Sequence, residues 1–135
     1  MEKQPVRTAI VIDDHPDVLS LFVELLEIKN FQVVATGNNG AQGVELYKKF
    51  KPDITFLDVV MPNTDGFYAL ERIREIDTNA IIIMVTTDLS ENTSRRLKDL
   101  RASSIVYKPF TIDDLVKIVS EIESTTNLNR TNFFN

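Results

Sequence analysis

The stretch ITFLDVVMP at residues 54–62 decides the fold of this 135-residue chain. Its first four residues are apolar or β-branched, and such a run predicts a strand covered on both faces of a parallel sheet. The run ends at Asp58, and the residues NTDG at positions 63–66 predict a loop and turn soon afterwards. We therefore expect Asp58 to lie where a buried strand stops, at the edge of the sheet.

The same pattern recurs along the chain. The run TAIVI at residues 8–12 also ends in acid, at Asp13 and Asp14. Further strands are predicted at residues 31–36, 80–86 and 104–107, and helices at about residues 16–30, 41–50, 91–100 and from 111 onwards. Another helix is predicted after the turn at residues 63–66, with Phe67, Leu70 and Ile73 on one side. Apolar stripes are predicted for the first helix (Val18, Leu21, Phe22, Leu25, Leu26) and the last (Leu115, Ile118, Val119, Ile122). The helix at residues 91–100 is mostly polar, and we expect it to be the most loosely held.

This alternation predicts an α/β fold, a single doubly wound five-stranded parallel sheet with five helices on both faces. In the flavodoxin-like strand order 2-1-3-4-5, a ligand site lies beyond the carboxyl ends of strands one and three. That edge would collect Asp13, Asp14, Asp58, Thr86 and Lys108. We expect one domain over residues 1–126, followed by a polar C-terminal tail or the start of a linker at 127–135.

Composition narrows the functional classes. The chain has no cysteine and a single histidine, His15, so any metal must be held by oxygen ligands or by that imidazole. A net charge of -5 opposes attraction to phosphate backbones, so we expect no direct nucleic-acid binding. The apolar run at residues 80–85 is far shorter than the roughly 20 residues of a membrane span, and no leader pattern opens the chain. We expect a cytoplasmic protein without membrane contact.

The acidic residues at this edge of the sheet indicate which ligands the site would bind. Two carboxylates about 4 Å apart repel by roughly 4 kcal/mol at an effective dielectric near 20, so their convergence requires a cation or raised pKa values. Mg²⁺ suits Asp13 or Asp14 together with Asp58, because it takes one or two carboxylates, several waters and a phosphate. Asp58 is then the candidate nucleophile for a phosphoryl group, with Lys108 and Thr86 as contacts for phosphoryl oxygens.

These residues resemble the receiver domain of two-component response regulators, over about residues 7–124. The resemblance rests on Asp13-Asp14, on Asp58 followed by Met61-Pro62, on Asp65-Gly66, on Thr86 and on Lys108-Pro109-Phe110. It implies phosphoryl transfer to Asp58 from a sensor histidine kinase or a histidine phosphotransfer protein. It also implies Mg²⁺ held by Asp14, Asp58 and the backbone carbonyl of Val60 with help from Asp13, and a cis peptide before Pro109. The domain would catalyse only its own phosphorylation and dephosphorylation.

Alternatives remain beside that interpretation. Asp13 and Asp14 could merely cap the helix that begins near Pro16, and His15 is interpreted chiefly as a loop residue beside the acids. Aspartyl-phosphate phosphatases need a second acid two residues after the nucleophile, where this chain has Val60. A receiver-like scaffold that is never phosphorylated is the third hypothesis. The downstream effector is unknown, and a phosphorylation-dependent dimer is left open.

One departure from the family pattern bears on how the domain would change conformation on phosphorylation. The family often has an aromatic residue three positions before the lysine, and here that residue is Ile105. We therefore expect any switch to move the loop after Thr86 and the polar helix without an aromatic rotation. Basic residues on and just after that helix (Arg95, Arg96, Lys98, Arg101) are interpreted mainly as a solvated face, and otherwise as a docking surface for an acidic partner.

Overall fold

The computed structural model describes the backbone of residues 6–134 and the side chains of residues 6–125. Its strands are β1 (Arg7–Ile12), β2 (Phe31–Gly37), β3 (Ile54–Asp58), β4 (Ile81–Thr86) and β5 (Ser104–Tyr107). Its helices are α1 (Pro16–Ile28), α2 (Gly40–Phe50), α3 (Gly66–Ile76), α4 (Glu91–Asp99) and α5 (Ile112–Phe134). The predicted alternation of strands and helices is confirmed.

The five strands form one parallel sheet in the order β2-β1-β3-β4-β5. In the register of β1 on β3, Ile12 is paired with Leu57, so both strands reach the same edge of the sheet. Asp58 is in turn paired with Val85, one residue before Thr86. The order reverses between β1 and β3, which is where parallel α/β sheets form ligand sites.

Two apolar cores lie on the two faces of the sheet. On one face, α1 and α5 contribute Phe22, Leu26, Leu115 and Val119, which pack near Phe56 of β3. On the other face, α2, α3 and α4 contribute Val44, Tyr47, Leu70, Ile73 and Leu97. The central strands β1, β3 and β4 are buried on both sides, which explains their continuous apolar runs, whereas β2 and β5 at the edges are partly exposed.

The buried face of α1 differs from the predicted one. Phe22 and Leu26 are buried as expected, but Val18 and Leu21 are 43% and 57% exposed. Leu19 and Val23 pack against the core instead. The prediction was wrong for Val18 and Leu21 because α1 has apolar residues at helical spacing on two faces, and periodicity alone does not choose between them.

The last two helices agree better with the sequence. The helix α4 is mostly polar, as predicted, and Leu97 is its buried residue. In α5, Leu115 and Val119 are buried, while Ile118 and Ile122 pack at the margin of the same core.

The backbone of α5 continues to Phe134, through most of the predicted tail at 127–135, whose side chains lie outside the described residues. The domain boundary at residue 126 stays a prediction. Within the described part of the chain, no helix combines the length and apolar character needed to cross a bilayer.

Arg74 forms a group of hydrogen bonds at the edge of the sheet opposite the carboxyl ends of the strands. Arg74 lies in the last turn of α3, and its side chain is buried. Its Nε and Nη2 donate to the carbonyl of Arg101 at 2.9 and 2.7 Å. Nη2 also donates to Ser103 Oγ, and Nη1 donates to the carbonyl of Ala80. One guanidinium therefore joins α3 to the segments that lead into β4 and β5.

The Arg74→Lys variant should lose about 2–4 kcal/mol of unfolding free energy, because a lysine cannot donate to all of these acceptors and leaves buried carbonyls unpaired. Urea denaturation at neutral pH measures the loss. Arg72→Lys is the matched control on the same helix, where the arginine is paired with exposed Glu75, and it should change stability by less than about 0.5 kcal/mol. Equal stabilities for the two variants would contradict the structural role given to Arg74.

Candidate functional site

A crevice opens at the carboxyl edge of the sheet, where the ends of four strands meet. Asp13 and Asp14 follow β1, Asp58 ends β3, Thr86 ends β4, and Lys108 follows β5. The crevice is lined by Asp14, His15, Asp58, Val60, Met61, Pro62, Thr86, Thr87 and Lys108. The structure thus gathers the residues that the sequence assigned to one edge.

Lys108 is the cation of this crevice. Its Nζ donates to Asp13 Oδ2 at 3.1 Å and lies 3.7 Å from Asp58 Oδ2. The side chains of Asp13 and Asp58 are only 4% and 9% exposed, so water screens the attraction weakly. One ammonium therefore faces carboxylates from two neighbouring strands. The peptide bond between Lys108 and Pro109 is cis, as the resemblance implied.

Close backbone packing fixes the position of Asp58. The amide of Val59 donates to Asp58 Oδ1 at 2.8 Å, which leaves Oδ2 toward Lys108. Gly66 donates from its amide to the carbonyl of Val59, and a Cβ on Gly66 would lie 2.2 Å from the carbonyl oxygen of Asp58. No larger residue fits that contact without moving the site. The sequence indicated Gly66 as a turn residue, but a turn pattern does not reveal such an approach.

The Asp58 carboxyl has a pKa raised above its ordinary value. Burial is the largest cause, because it disfavours the charged form. The ammonium of Lys108 opposes the rise in pKa, whereas the negative charge of Asp13 adds to it. Ionised Asp58 is therefore held in the folded protein at a cost that a bound cation would reduce.

The acidic residues fit a small divalent cation. One oxygen each from Asp13, Asp14 and Asp58 and one nitrogen of His15 lie within 4.8 Å of one another. Opposite ligands of an octahedral Mg²⁺ ion are about 4.2 Å apart, so small adjustments suffice. Asp14 Oδ1 is buried and, within the described residues, accepts no hydrogen bond. His15 Nδ1 lies 3.2 Å from this oxygen. A buried carboxylate oxygen that accepts no hydrogen bond and lies next to two other carboxylates suits a cation.

The capping alternative for the acids is wrong for α1. The residue at the N-cap of α1 is His15, and its side chain makes no capping hydrogen bond. Asp13 Oδ1 accepts from the amide of His15 at 2.9 Å, while Asp13 Oδ2 is bonded to Lys108. Asp13 thus faces the crevice instead of the first turn of α1.

Hydrogen bonds link Thr86 to the start of α4. Thr86 is 1% exposed, and its Oγ1 accepts from the amide of Asp88 at 3.0 Å, which leaves the hydroxyl proton for another acceptor. The Asp88 carboxylate accepts from the amide of Ser90 at 2.8 Å and from Thr93 Oγ1 at 2.6 Å. These bonds lower the pKa of Asp88. These hydrogen bonds connect Thr86 to the first turn of α4.

Two other predicted positions lie at the margin of the site. The side chain of Val60 is 69% exposed, and the residue lines the crevice directly after Asp58 and Val59. Ile105 is partly buried in the core beside β4 and is paired in register with Met84. Tyr107, at the end of β5, is 37% exposed.

A five-stranded parallel sheet in this order, with paired acids, an aspartate and a lysine at its carboxyl edge, defines a receiver-like domain. The sequence profile of the response regulator receiver domain matches residues 9–120. The chain belongs to this family of two-component signalling domains.

Individual relatives agree. The chain is 31% identical over 116 residues to the chemotaxis protein CheY of Halobacterium salinarum, covering 86% of this chain and 96% of that protein. It is 32% identical over 112 residues to CheY of Bacillus subtilis, covering 83% and 93%. Among solved structures, a CheX–CheY–BeF3–Mg²⁺ complex from Borrelia burgdorferi is similar in fold, with a TM-score of 0.81, 24% identity, and coverage of 86% of this chain and 88% of that one.

Asp58→Asn should raise the unfolding free energy at pH 7 by roughly 1 kcal/mol, because it removes a buried charge beside Asp13 and Asp14. With a raised pKa in the folded state, the stability contributed by protonated Asp58 is present below about pH 4 and is lost as pH rises through the folded pKa. The advantage of the variant should therefore shrink at acid pH. Urea denaturation at pH 7 and pH 3.5 measures both values, with the exposed Asp99→Asn as control, and a variant less stable than wild type at pH 7 would contradict the electrostatic account.

Proposed function

We propose that this receiver domain accepts a phosphoryl group on Asp58, in a Mg²⁺-dependent transfer from a phosphohistidine of a sensor histidine kinase or a histidine phosphotransfer protein. The observation that carries the proposal is Asp58 Oδ2, 3.7 Å from Lys108 Nζ in a crevice lined by acids and Thr86. A carboxylate nucleophile, a fixed cation and a hydroxyl donor then surround the space that the phosphoryl group would enter.

The transfer is a displacement at phosphorus. An oxygen of the Asp58 carboxylate forms the new O–P bond as the N–P bond of the donor breaks, and the leaving imidazole nitrogen takes a proton from water. Lys108 then offers its ammonium to a phosphoryl oxygen, and Thr86 donates its hydroxyl proton to another. Burial of Asp58 leaves its carboxylate poorly hydrated and so supports its role as nucleophile.

Asp13, Asp14, Asp58 and the backbone carbonyl of Val60 are the ligands that we assign to Mg²⁺. When bound, the ion neutralises charge on the attacking carboxylate and the incoming phosphoryl group. Asp14 Oδ1, which is buried and accepts no hydrogen bond from the described residues, and the grouping of the carboxylates support this assignment. The domain itself would span residues 1–126.

We infer that phosphorylation alters contacts with other proteins through α4. Thr86 Oγ1 now accepts the amide of Asp88, so a Thr86 hydroxyl drawn to a phosphoryl oxygen would shift the residues that cap α4. With Ile105 in place of an aromatic residue, the movement needs no ring rotation. We place the domain in the cytoplasm, acting through a protein effector and not through nucleic acid or membrane, with dimerisation on phosphorylation as an open outcome.

The alternatives have weaker support. A phosphatase would need an acid at Val60, and the valine side chain supplies neither proton nor base. A scaffold that is never phosphorylated has no use for a buried lysine–carboxylate arrangement whose charges cost desolvation energy.

Incubation with acetyl phosphate and Mg²⁺ should add about 80 Da to the chain, the mass of one phosphoryl group. Intact-mass spectrometry measures the addition, which EDTA should abolish. Asp58→Ala should show no addition, whereas Asp53→Asn, at the residue that precedes β3 at the opposite edge of the sheet, should behave as wild type. Modification of Asp58→Ala to the wild-type extent would refute the assignment.

Beryllofluoride with Mg²⁺, as a phosphoryl stand-in, should shift the backbone amide resonances of residues 86–97. In Asp88→Ala, which removes the acceptor for Ser90 and Thr93, the shifts at residues 86 and 87 should persist while those of α4 fall at least about twofold. Two-dimensional NMR measures both sets. Unchanged α4 shifts in the variant would mean that Asp88 does not carry the signal.

A further inference from the structure

His15 is a group of the crevice that the proposed function does not use. It is the single histidine of the chain, it follows Asp13 and Asp14 directly, and it is the residue before α1. Its Nδ1 lies 3.3 Å from Asp13 Oδ1 and 3.2 Å from Asp14 Oδ1. Its side chain is 66% exposed, so the ring contacts the acids from the open side of the crevice.

These separations fall in the range of those between neighbouring ligands of one metal ion, which is also the range of hydrogen bonds. With metal–ligand bonds of about 2.1 Å, adjacent ligand atoms lie about 3.0 Å apart in an octahedron and about 3.4 Å apart in a tetrahedron. The two distances from His15 Nδ1 fall between those values, and Asp58 supplies an oxygen within the same 4.8 Å group. One ion could therefore contact the imidazole and the carboxylates together.

We propose that His15 Nδ1 is a metal ligand that gives the acidic crevice a preference for a transition-metal divalent ion, such as Co²⁺ or Zn²⁺, over Mg²⁺. Mg²⁺ is a hard ion that favours oxygen, whereas neutral imidazole is a favourable ligand for the borderline ions. The added nitrogen therefore strengthens binding of one class of ion only. The inference rests on the metal site of the proposed function but not on phosphoryl transfer.

A hydrogen bond or an ion pair from His15 Nδ1 to the acids is the competing explanation, and it makes a different prediction. An Nδ1–H group that donates to Asp13 has no lone pair for an ion, so removal of the imidazole would change the binding of Mg²⁺ and Co²⁺ alike. A protonated imidazole would repel Mg²⁺ and Co²⁺ alike, so its removal would strengthen the binding of both ions by similar factors. If His15 is instead a metal ligand, its removal weakens the binding of Co²⁺ and leaves that of Mg²⁺ nearly unchanged. The ratio of the Co²⁺ to the Mg²⁺ association constant is thus the quantity that decides.

Isothermal titration calorimetry of the full chain, without a histidine tag and at pH 7.5, measures both constants. His15→Ala should lower the Co²⁺ association constant about tenfold or more and leave that of Mg²⁺ within about twofold. Asp17→Ala, an exposed acid in the first turn of α1, is the control and should leave the ratio unchanged. Equal factors for the two ions, or no change, would overturn the ligand role while leaving the proposed function intact. If neither ion binds the wild-type protein, both the inference and the metal site of the proposed function fail.

A spectroscopic readout identifies the ligand atom. Because the chain has one histidine, the two imidazole nitrogen resonances of ¹⁵N-labelled protein are unambiguous. One equivalent of Zn²⁺, used as a diamagnetic probe, should shift Nδ1 more than Nε2, and saturating Mg²⁺ should shift neither comparably. A larger shift at Nε2, or none with Zn²⁺, would overturn the assignment.

Discussion

The attraction between Lys108 and the carboxylates of Asp13 and Asp58 is the interaction on which the site depends. Strand order makes it possible, because β1 and β3 are neighbours and end at the same level, while the residue after β5 reaches across β4. The charges do not balance: Asp13, Asp14 and Asp58 face one ammonium, and the pKa of Asp58 stays raised despite Lys108. The folded domain thus has an excess of negative charge in the crevice, which a bound cation would offset.

Much of this could be predicted from sequence because the decisive signals are local. Continuous apolar runs mark strands covered on both faces, and an acid directly after such a run must lie at the sheet edge. The convergence of Asp13, Asp58 and Lys108 follows once the strand order is assumed. The position of Asp65 before α3 is equally local, because its carboxylate accepts from the amide of Tyr68 three residues later.

The features that sequence did not reveal depend on contacts between distant segments. The apolar residues of α1 fit two stripes, and packing against β1 and β3 selects Phe22 and Leu26 over Val18 and Leu21. Arg74 donates to backbone carbonyls. Because every residue has a carbonyl, the sequence does not indicate which residues are its partners. The need for Gly66 arises from one oxygen of Asp58 that lies 2.2 Å from where its Cβ would be.

The bonds of Arg74 also constrain how α4 moves. The carbonyl of Arg101, two residues beyond the end of α4, is held by the guanidinium, while the other end of the helix is joined to the crevice through Asp88 and Thr86. Leu97 lies between these two attachments. The helix is therefore attached at both ends, at the base of the domain through Arg101 and at the crevice through Asp88. If Thr86 is drawn toward a phosphoryl group, as the proposed function has it, α4 would pivot about its carboxyl end instead of shifting as a whole.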